Sequence, residues 1–245
     1  MNDLDTTQPA PAPAQVLEYT TPIQKPHGAP AWIMPVLTVG STAIAALLWL
    51  LGRASMLEAV SFVTGALCVW LTVRESVWNF PLGLLNVATF AVVFFRTGLY
   101  ADASLQIVYV VLTLVGWYLW LFGGREHTAL RVSRVTEAEA IAVAAAGVVM
   151  MAVFWGLVTF AAGVSPFFDA LTTSLSLCAQ WLLNRKRLEN WFFWIAADVV
   201  YVPLYAFKGL YLTSILYAVF LAMCVIGVRQ WHATWKLQQR AAEAA

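Results

Sequence analysis

The sequence predicts an all-α polytopic membrane protein with a 3+1+3 core, two parallel three-helix repeats joined by one helix, plus one extra N-terminal helix. Three observations lead there: a composition too apolar to be covered in water, eight apolar runs of membrane-crossing length, and a match of the chain with itself at an offset of 111 residues. Hydrophobic residues make up 61% of the 245 and charged residues 11%, with a mean hydropathy of +0.75, so the bilayer has to solvate most of the surface. The runs lack the in–out alternation of barrel strands, and a helix satisfies its own backbone amides in lipid.

Residues 1–30 hold Pro9, Pro11, Pro13, Pro22, Pro26 and Pro30 among polar and alanine positions and read as a disordered cytoplasmic tail. They do not read as a signal peptide, since no basic start leads directly into the first apolar run. Residues 31–54 form an accessory unit around the span Ala31 to Leu51. The first repeat, 55–122, carries the spans Ser55 to Val73, Val77 to Phe95 and Asp102 to Phe122. Residues 123–165 are a linker with a connecting span, Glu139 to Ala162. The second repeat, 166–231, carries Phe168 to Asn184, Asn190 to Phe207 and Leu210 to Val228, and residues 232–245 are expected as a cytoplasmic tail. Ser55 with Glu58 and Thr136 with Glu139 fit capping boxes, and Ser165 before Pro166 fits an N-cap with a first-turn proline. Proline at Pro81 sits in a tolerated first turn, whereas Pro203 lies inside its span and is expected to kink it, as a hinge or as a static bend.

With eight spans, Lys25, Arg74, Arg125, Arg131, Arg134, Arg185, Lys186, Arg187, Arg229, Lys236 and Arg240 fall on the side of the N-terminus, against Arg53, Arg96 and Lys208 on the other. This asymmetry puts both termini in the cytoplasm.

The offset aligns Met56 to Trp120 with Phe167 to Trp231 without a gap. Arg96-Thr-Gly-Leu-Tyr100 falls on Phe207-Lys-Gly-Leu-Tyr211, and Ala59, Trp70, Leu71, Arg74, Asn79, Gly116 and Trp120 recur at the same register as Ala170, Trp181, Leu182, Arg185, Asn190, Gly227 and Trp231. Three spans per repeat would invert the second copy, and the connecting helix restores its orientation. Parallel repeats place a substrate site at their interface near mid-membrane.

Asp198 is the acidic residue deep inside a span, where an ionisable group costs several kcal/mol unless a cavity, partner or cationic ligand compensates. A protonated or hydrogen-bonded carboxyl locking two helices is the alternative. Asn86 falls one position from Asp198 in the repeat register, which suggests one cavity. Trp191, Trp194, Asp198 and Tyr201 recur at three and four, a face able to hold a flat cation by stacking and cation–π attraction, although Trp191 also suits an interfacial belt. Gln106, Tyr109 and Thr113 share a face that could bind hydroxyls or a carboxamide, or could glue helices. Asn79 and Asn190 fit N-caps or gate residues, and Gln180 and Asn184 are further pocket candidates.

His27, His127 and His232 lie outside the spans, and HExxH, GxSxG, GxxxxGK[ST] and paired intramembrane carboxylates do not occur, so neither an enzyme nor ATP use is expected. Cys68, Cys178 and Cys224 stand singly within spans and read as buried thiols, with no metal and no cofactor expected. A net charge of +1 without a basic aromatic patch gives no sign of nucleic acid.

The stretches Trp78-Asn-Phe-Pro-Leu-Gly-Leu-Leu-Asn86, Leu99-Tyr-Ala-Asp-Ala-Ser-Leu-Gln106 with Tyr109, Gly116-Trp-Tyr-Leu-Trp120, Arg185-Lys-Arg-Leu-Glu-Asn-Trp-Phe-Phe-Trp194, Asp198-Val-Val-Tyr201 and Lys208-Gly-Leu-Tyr211 together resemble the PnuC family of nicotinamide riboside (vitamin B3) transporters. The resemblance covers most of Leu57 to Trp235; Phe80 replaces a tryptophan that often follows Trp78-Asn79. It implies facilitated diffusion of nicotinamide riboside by alternating access, trapping of the product by a cytoplasmic riboside kinase for NAD biosynthesis, a SWEET-like core, and a homotrimer in the lipid of a bacterial inner membrane. The riboside's pyridinium charge and flat ring would suit Asp198 and Trp194, its carboxamide Gln106 and its hydroxyls Asn86. Related families of this architecture are thought to carry thiamine, also a flat cation, so another cationic vitamin is the alternative substrate, and a non-transporting membrane binding protein the alternative role.

Overall fold

The computed structural model describes residues 32–52, 56–96, 100–160, 165–207 and 211–244; Ser55, an expected cap, and the N-terminal tail lie outside them. Among these residues eight α-helices follow one another: α1 (Ile33–Leu50), α2 (Met56–Val73), α3 (Asn79–Arg96), α4 (Tyr100–Phe122), α5 (Glu137–Phe160), α6 (Pro166–Asn184), α7 (Asn190–Phe207) and α8 (Tyr211–Glu243). The chain is nearly all-helical, as the apolar runs require. By length and hydropathy alone five of these helices contain a membrane-crossing stretch, in α1, α4, α5, α7 and α8. In α2 and α3 the apolar stretches are shorter, Ala59–Val73 and Asn79–Val92.

Helix α6 falls short because it carries Thr172, Thr173, Ser174, Ser176, Gln180 and Asn184. Thr172, Ser174, Ser176 and Asn184 are all buried, so its polarity faces protein. Thr172 and Ser174 also donate to their own helix, to Phe168 O at 2.9 Å and Ala170 O at 2.8 Å, which satisfies the hydroxyls without water.

Two ends take forms the sequence did not indicate. Residues 232–243, expected as a tail, continue α8, because from Val228 to Glu243 there is neither glycine nor proline to stop a helix. Ser165 precedes α6 with Pro166 at its first turn, but its side chain makes no capping hydrogen bond. Thr136 does cap α5, its Oγ1 accepting from Glu139 N at 3.2 Å.

Helices α2, α3 and α4 pack in succession, as do α6, α7 and α8, and the two groups meet through α2 against α8 and α4 against α6. Helix α5 lies on α6, and α1 on α2 and α8. The bounds repeat at the offset of 111: α3 maps onto α7 at both ends, α2 and α6 end together, and α4 and α8 begin together. Just after α2 and α6, Glu75 and Lys186 occupy the left-handed region at φ 56° and 49°, unusual for residues with a Cβ and again at this offset.

The contacts between the two groups are reciprocal. Trp120 Nε1 donates to Leu183 O at 3.0 Å, and its counterpart Trp231 Nε1 donates to Thr72 O, the counterpart carbonyl, at 3.1 Å. The two indoles meet at 5.9 Å between centroids. Phe80 stands edge-on to Trp120 at 5.1 Å and Trp191 edge-on to Trp231 at 5.4 Å. Glycine permits both approaches: a Cβ on Gly116 would lie 2.7 Å from Phe80, and one on Gly227 2.7 Å from Trp191. Between these matched halves, Lys186 Nζ lies 3.4 Å from Glu75 Oε2 and 4.6 Å from the centroid of the Trp120 ring, a cation–π contact. All of this lies at the basic end, which carries residues 74–78, 123–136 and 185–189.

The linker before α5 straps the second group at the same end. Ser133 N donates to Lys186 O and Leu188 N to Ser133 O, at 3.1 and 2.9 Å, forming a parallel bridge between Ser133 and Arg187. Arg134 pairs with Glu189, and Arg187 with Glu139 at 2.8 Å.

Candidate functional site

Asp198 lies in the middle of α7 and is 5% exposed. The hydrogen-bond partner it finds among the described residues is Cys224 on α8, whose Sγ donates to Oδ2 at 3.7 Å. One and two turns along α7, Tyr201 and Tyr205 pack with Tyr217 of α8, with centroids at 4.5 Å for Tyr201 and Tyr217, 5.2 Å for Tyr205 and Tyr217, and 5.7 Å for Tyr201 and Tyr205. The polar face of α6 carries Thr172 and Ser176, both buried.

Asn86 is connected to this cluster through aromatic packing. A Cβ on Gly65 would lie 3.4 Å from Phe220 and 3.7 Å from Asn86 Nδ2, so the absence of a side chain lets α8 approach α2 and α3 there. Phe220 in turn packs on Tyr217 at 5.9 Å. The amide of Asn86 is already engaged, Nδ2 donating to Ser61 O at 2.6 Å and to Thr64 Oγ1 at 3.0 Å, which fixes α3 on α2.

The other sequence candidates divide. Gln106 is buried and Tyr109 half-buried on α4. Trp194 is partly buried against the main apolar core, and Trp191, 1% exposed, is built into the core as the edge-on partner of Trp231. Trp191 therefore does not present an open ring face, nor is it an interfacial belt residue; its Nε1 is buried with no protein partner. Asn184 ties α6 to α4 by donating to Leu112 O at 2.7 Å, and its Oδ1 accepts from Gln180 Nε2 at 3.0 Å within α6. Asn79 Nδ2 donates to Thr72 Oγ1 at 3.1 Å and Asn190 Nδ2 to Arg187 O at 2.6 Å. The Oδ1 atoms of these repeat counterparts are both buried and without protein donors.

Sequence reasoning missed Thr172, Ser176, Tyr205, Tyr217 and Cys224. The signal for two of them was present: Tyr217 and Cys224 stand at the repeat positions of Gln106 and Thr113, the polar face already noticed on α4. Among the described residues no group of three or more His, Cys, Asp or Glu could hold a metal ion. What the cluster offers chemically is one carboxylate, several phenol faces and hydroxyl groups, a combination that suits a flat cation carrying polar substituents.

Comparison with known proteins bears on this. The family model described as "Nicotinamide mononucleotide transporter" matches residues 55–233. The nicotinamide riboside transporter PnuC of Escherichia coli is 29% identical over 203 residues, covering 72% of this chain and 85% of that protein. The riboflavin/roseoflavin transporter RibM of Streptomyces davaonensis is 28% identical over 179 residues, covering 71% and 83%. A crystal structure of the vitamin B3 transporter PnuC superposes with a TM-score of 0.68 at 26% identity, covering 87% of this chain and 94% of that one.

Proposed function

This chain belongs to the PnuC family of membrane transporters, and from that premise we propose that it carries nicotinamide riboside across the membrane. The observation that carries the substrate is the buried carboxylate of Asp198, held by a thiol on α8, the helix whose Tyr217 packs with Tyr201 and Tyr205 of α7. A pyridinium riboside is drawn to such a site. A mononucleotide would bring phosphate beside a buried carboxylate, a like-charge contact that a low-dielectric site penalises heavily. Riboflavin, the substrate in the name of one relative, lacks the cationic ring and has no use for the carboxylate. Thiamine shares the cation and is the second reading.

The proposed mechanism is alternating access between two parallel three-helix units, α2–α4 and α6–α8, with α5 restoring the direction of the second and α1 outside the symmetry. The matching helix bounds and reciprocal tryptophan–carbonyl bonds support a pseudo-two-fold relation. The cross-unit hydrogen bonds and ion pair gather at the basic end, which the distribution of Lys and Arg orients to the cytoplasm with both termini. In this reading the present form is closed toward the cytoplasm. Binding needs no ATP, and net uptake is driven by a cytoplasmic riboside kinase that removes free riboside from the equilibrium. The family likeness further suggests a homotrimer in a bacterial inner membrane.

Calorimetry of the purified chain against nicotinamide riboside, its mononucleotide, nicotinamide, thiamine and riboflavin tests the substrate. Heat of binding from the riboside in preference to the mononucleotide is the expected result. Tight binding of thiamine or riboflavin with none of the riboside would move the assignment to that vitamin.

A further inference from the structure

We propose that Cys224 is a positioning residue of this site, its thiol holding the Asp198 carboxylate in the orientation that receives a cationic ring; this deepens the transport reading and rests on it. The contact is a 3.7 Å Sγ to Oδ2 approach between two residues that are 4% and 5% exposed, on neighbouring helices α8 and α7. The internal repeat shows it to be a paired departure. In the first unit the counterparts are Val87 and Thr113, and Thr113 Oγ1 turns back to Tyr109 O of its own helix at 2.6 Å. The acid and the cross-helix contact therefore occur together in one unit, while in the other the acid is missing and the donor is spent on its own helix. Cys68 and Cys178 show what a thiol does here otherwise, donating to the backbone at Asn79 O and Val143 O at 3.3 and 3.8 Å.

A thiol fits this duty because it is a weak donor. An ionised carboxylate has about four acceptor positions, and one S–H fixes its direction while leaving the negative charge and the other positions to a ligand. A lysine or arginine at position 224 would fix it equally well but neutralise it. The site then discriminates by charge, and Cys224 sets how well the charge is aimed.

The test uses the full chain in detergent with Cys224→Ala and Cys224→Ser, titrated with nicotinamide riboside and with nicotinamide, the uncharged base. Loss of the donor is expected to weaken riboside binding about three- to tenfold, the scale of one modest hydrogen bond, and to leave nicotinamide unchanged. Serine should restore riboside affinity to within about twofold. Unchanged riboside affinity in Cys224→Ala, or equal weakening for both ligands, overturns the proposal. A ligand-free arm separates it from the substrate assignment: in a Cys68→Ala, Cys178→Ala background the S–H infrared stretch of Cys224 should shift when Asp198 is replaced by valine, the residue its counterpart carries. An unshifted band refutes the pair whatever binds. A shifted band in a protein that ignores the riboside refutes the substrate alone.

Discussion

Asp198 is a group that an apolar bundle keeps only under compensation, since an unpaired carboxylate in the hydrocarbon region is costly. Its partner is one thiol, and its neighbours are rings. Asp198→Asn keeps the volume and removes the charge, so it should weaken riboside binding by about tenfold or more, at 1.4 kcal/mol per decade, with nicotinamide unaffected in the same calorimeter. The glycines give an independent prediction about packing. Gly227→Ala drives a methyl into Trp191, with 2.7 Å available, and Gly116→Ala drives one into Phe80 and Asn184; each should cost about 1–3 kcal/mol and lower the melting temperature in detergent. Gly156→Ala on α5 meets no atom within 4 Å and should be neutral or slightly stabilising. At this scale the sequence was a partial guide. An isolated carboxylate inside an apolar run announces itself, and so does a Gln106–Tyr109–Thr113 face. Whether an amide binds ligand or glues helices depends on what stands opposite, and Asn86 and Asn184 reveal their backbone partners only when the helices are packed. Trp191 shows the same limit: its spacing fits the face of Asp198, but Gly227 leaves a slot that takes the ring away from it.

Among the elements, the loops after α2 and α6 are counterparts that touch each other. Glu75 and Lys186 are 18% and 9% exposed in their side chains, and they bridge the two units at the basic end, where the strap from Leu130 to Val135 also secures the second unit. Rocking that opens this end has to part them. Charge reversal at one position, Glu75→Lys or Lys186→Glu, should therefore destabilise the closed form by about 3–5 kcal/mol, as loss of one partner of a partly buried pair does. The double exchange should recover only the share of that loss due to the charge pair, since a carboxylate at position 186 can neither donate to Leu130 O nor lie favourably over the Trp120 ring. The readout is a double-mutant cycle on thermal stability together with protease access to the linker 123–136; additive effects of the two single changes would show the ion pair to be incidental. Helix positions were legible within a few residues, because apolar length in a membrane chain is a strong signal. The end of α8 was not, since the apolar run stops near Val228 while the helix needs only the absence of glycine and proline to continue. Nor was the strap legible: the bridge between Ser133 and Arg187 joins backbone segments with no periodicity.

For the whole molecule, the offset of 111 residues proved the most productive reading, because it linked positions that lie on different helices and then met across the seam. Trp120 with Leu183 and Trp231 with Thr72 are one contact made twice, and Glu75 with Lys186 is a contact between counterparts. The departure from this symmetry lies at Asp198, whose counterpart is Val87, so the candidate site is lopsided in charge while the scaffold around it is matched. Under the proposed alternating access, a matched scaffold with a lopsided site would present the same carboxylate to either side of the membrane by rocking. Its direct consequence is flux in both directions, with the gradient of the solute itself as the driving force. The decisive measurement is equilibration of labelled nicotinamide riboside into and out of liposomes containing the purified chain, with no nucleotide and no ion gradient. Inward and outward rates that respond alike to the riboside gradient, and that both fall in Asp198→Asn, are the result expected. Riboside that binds to the protein yet stays on its own side of the bilayer would contradict transport and leave a binding protein in its place.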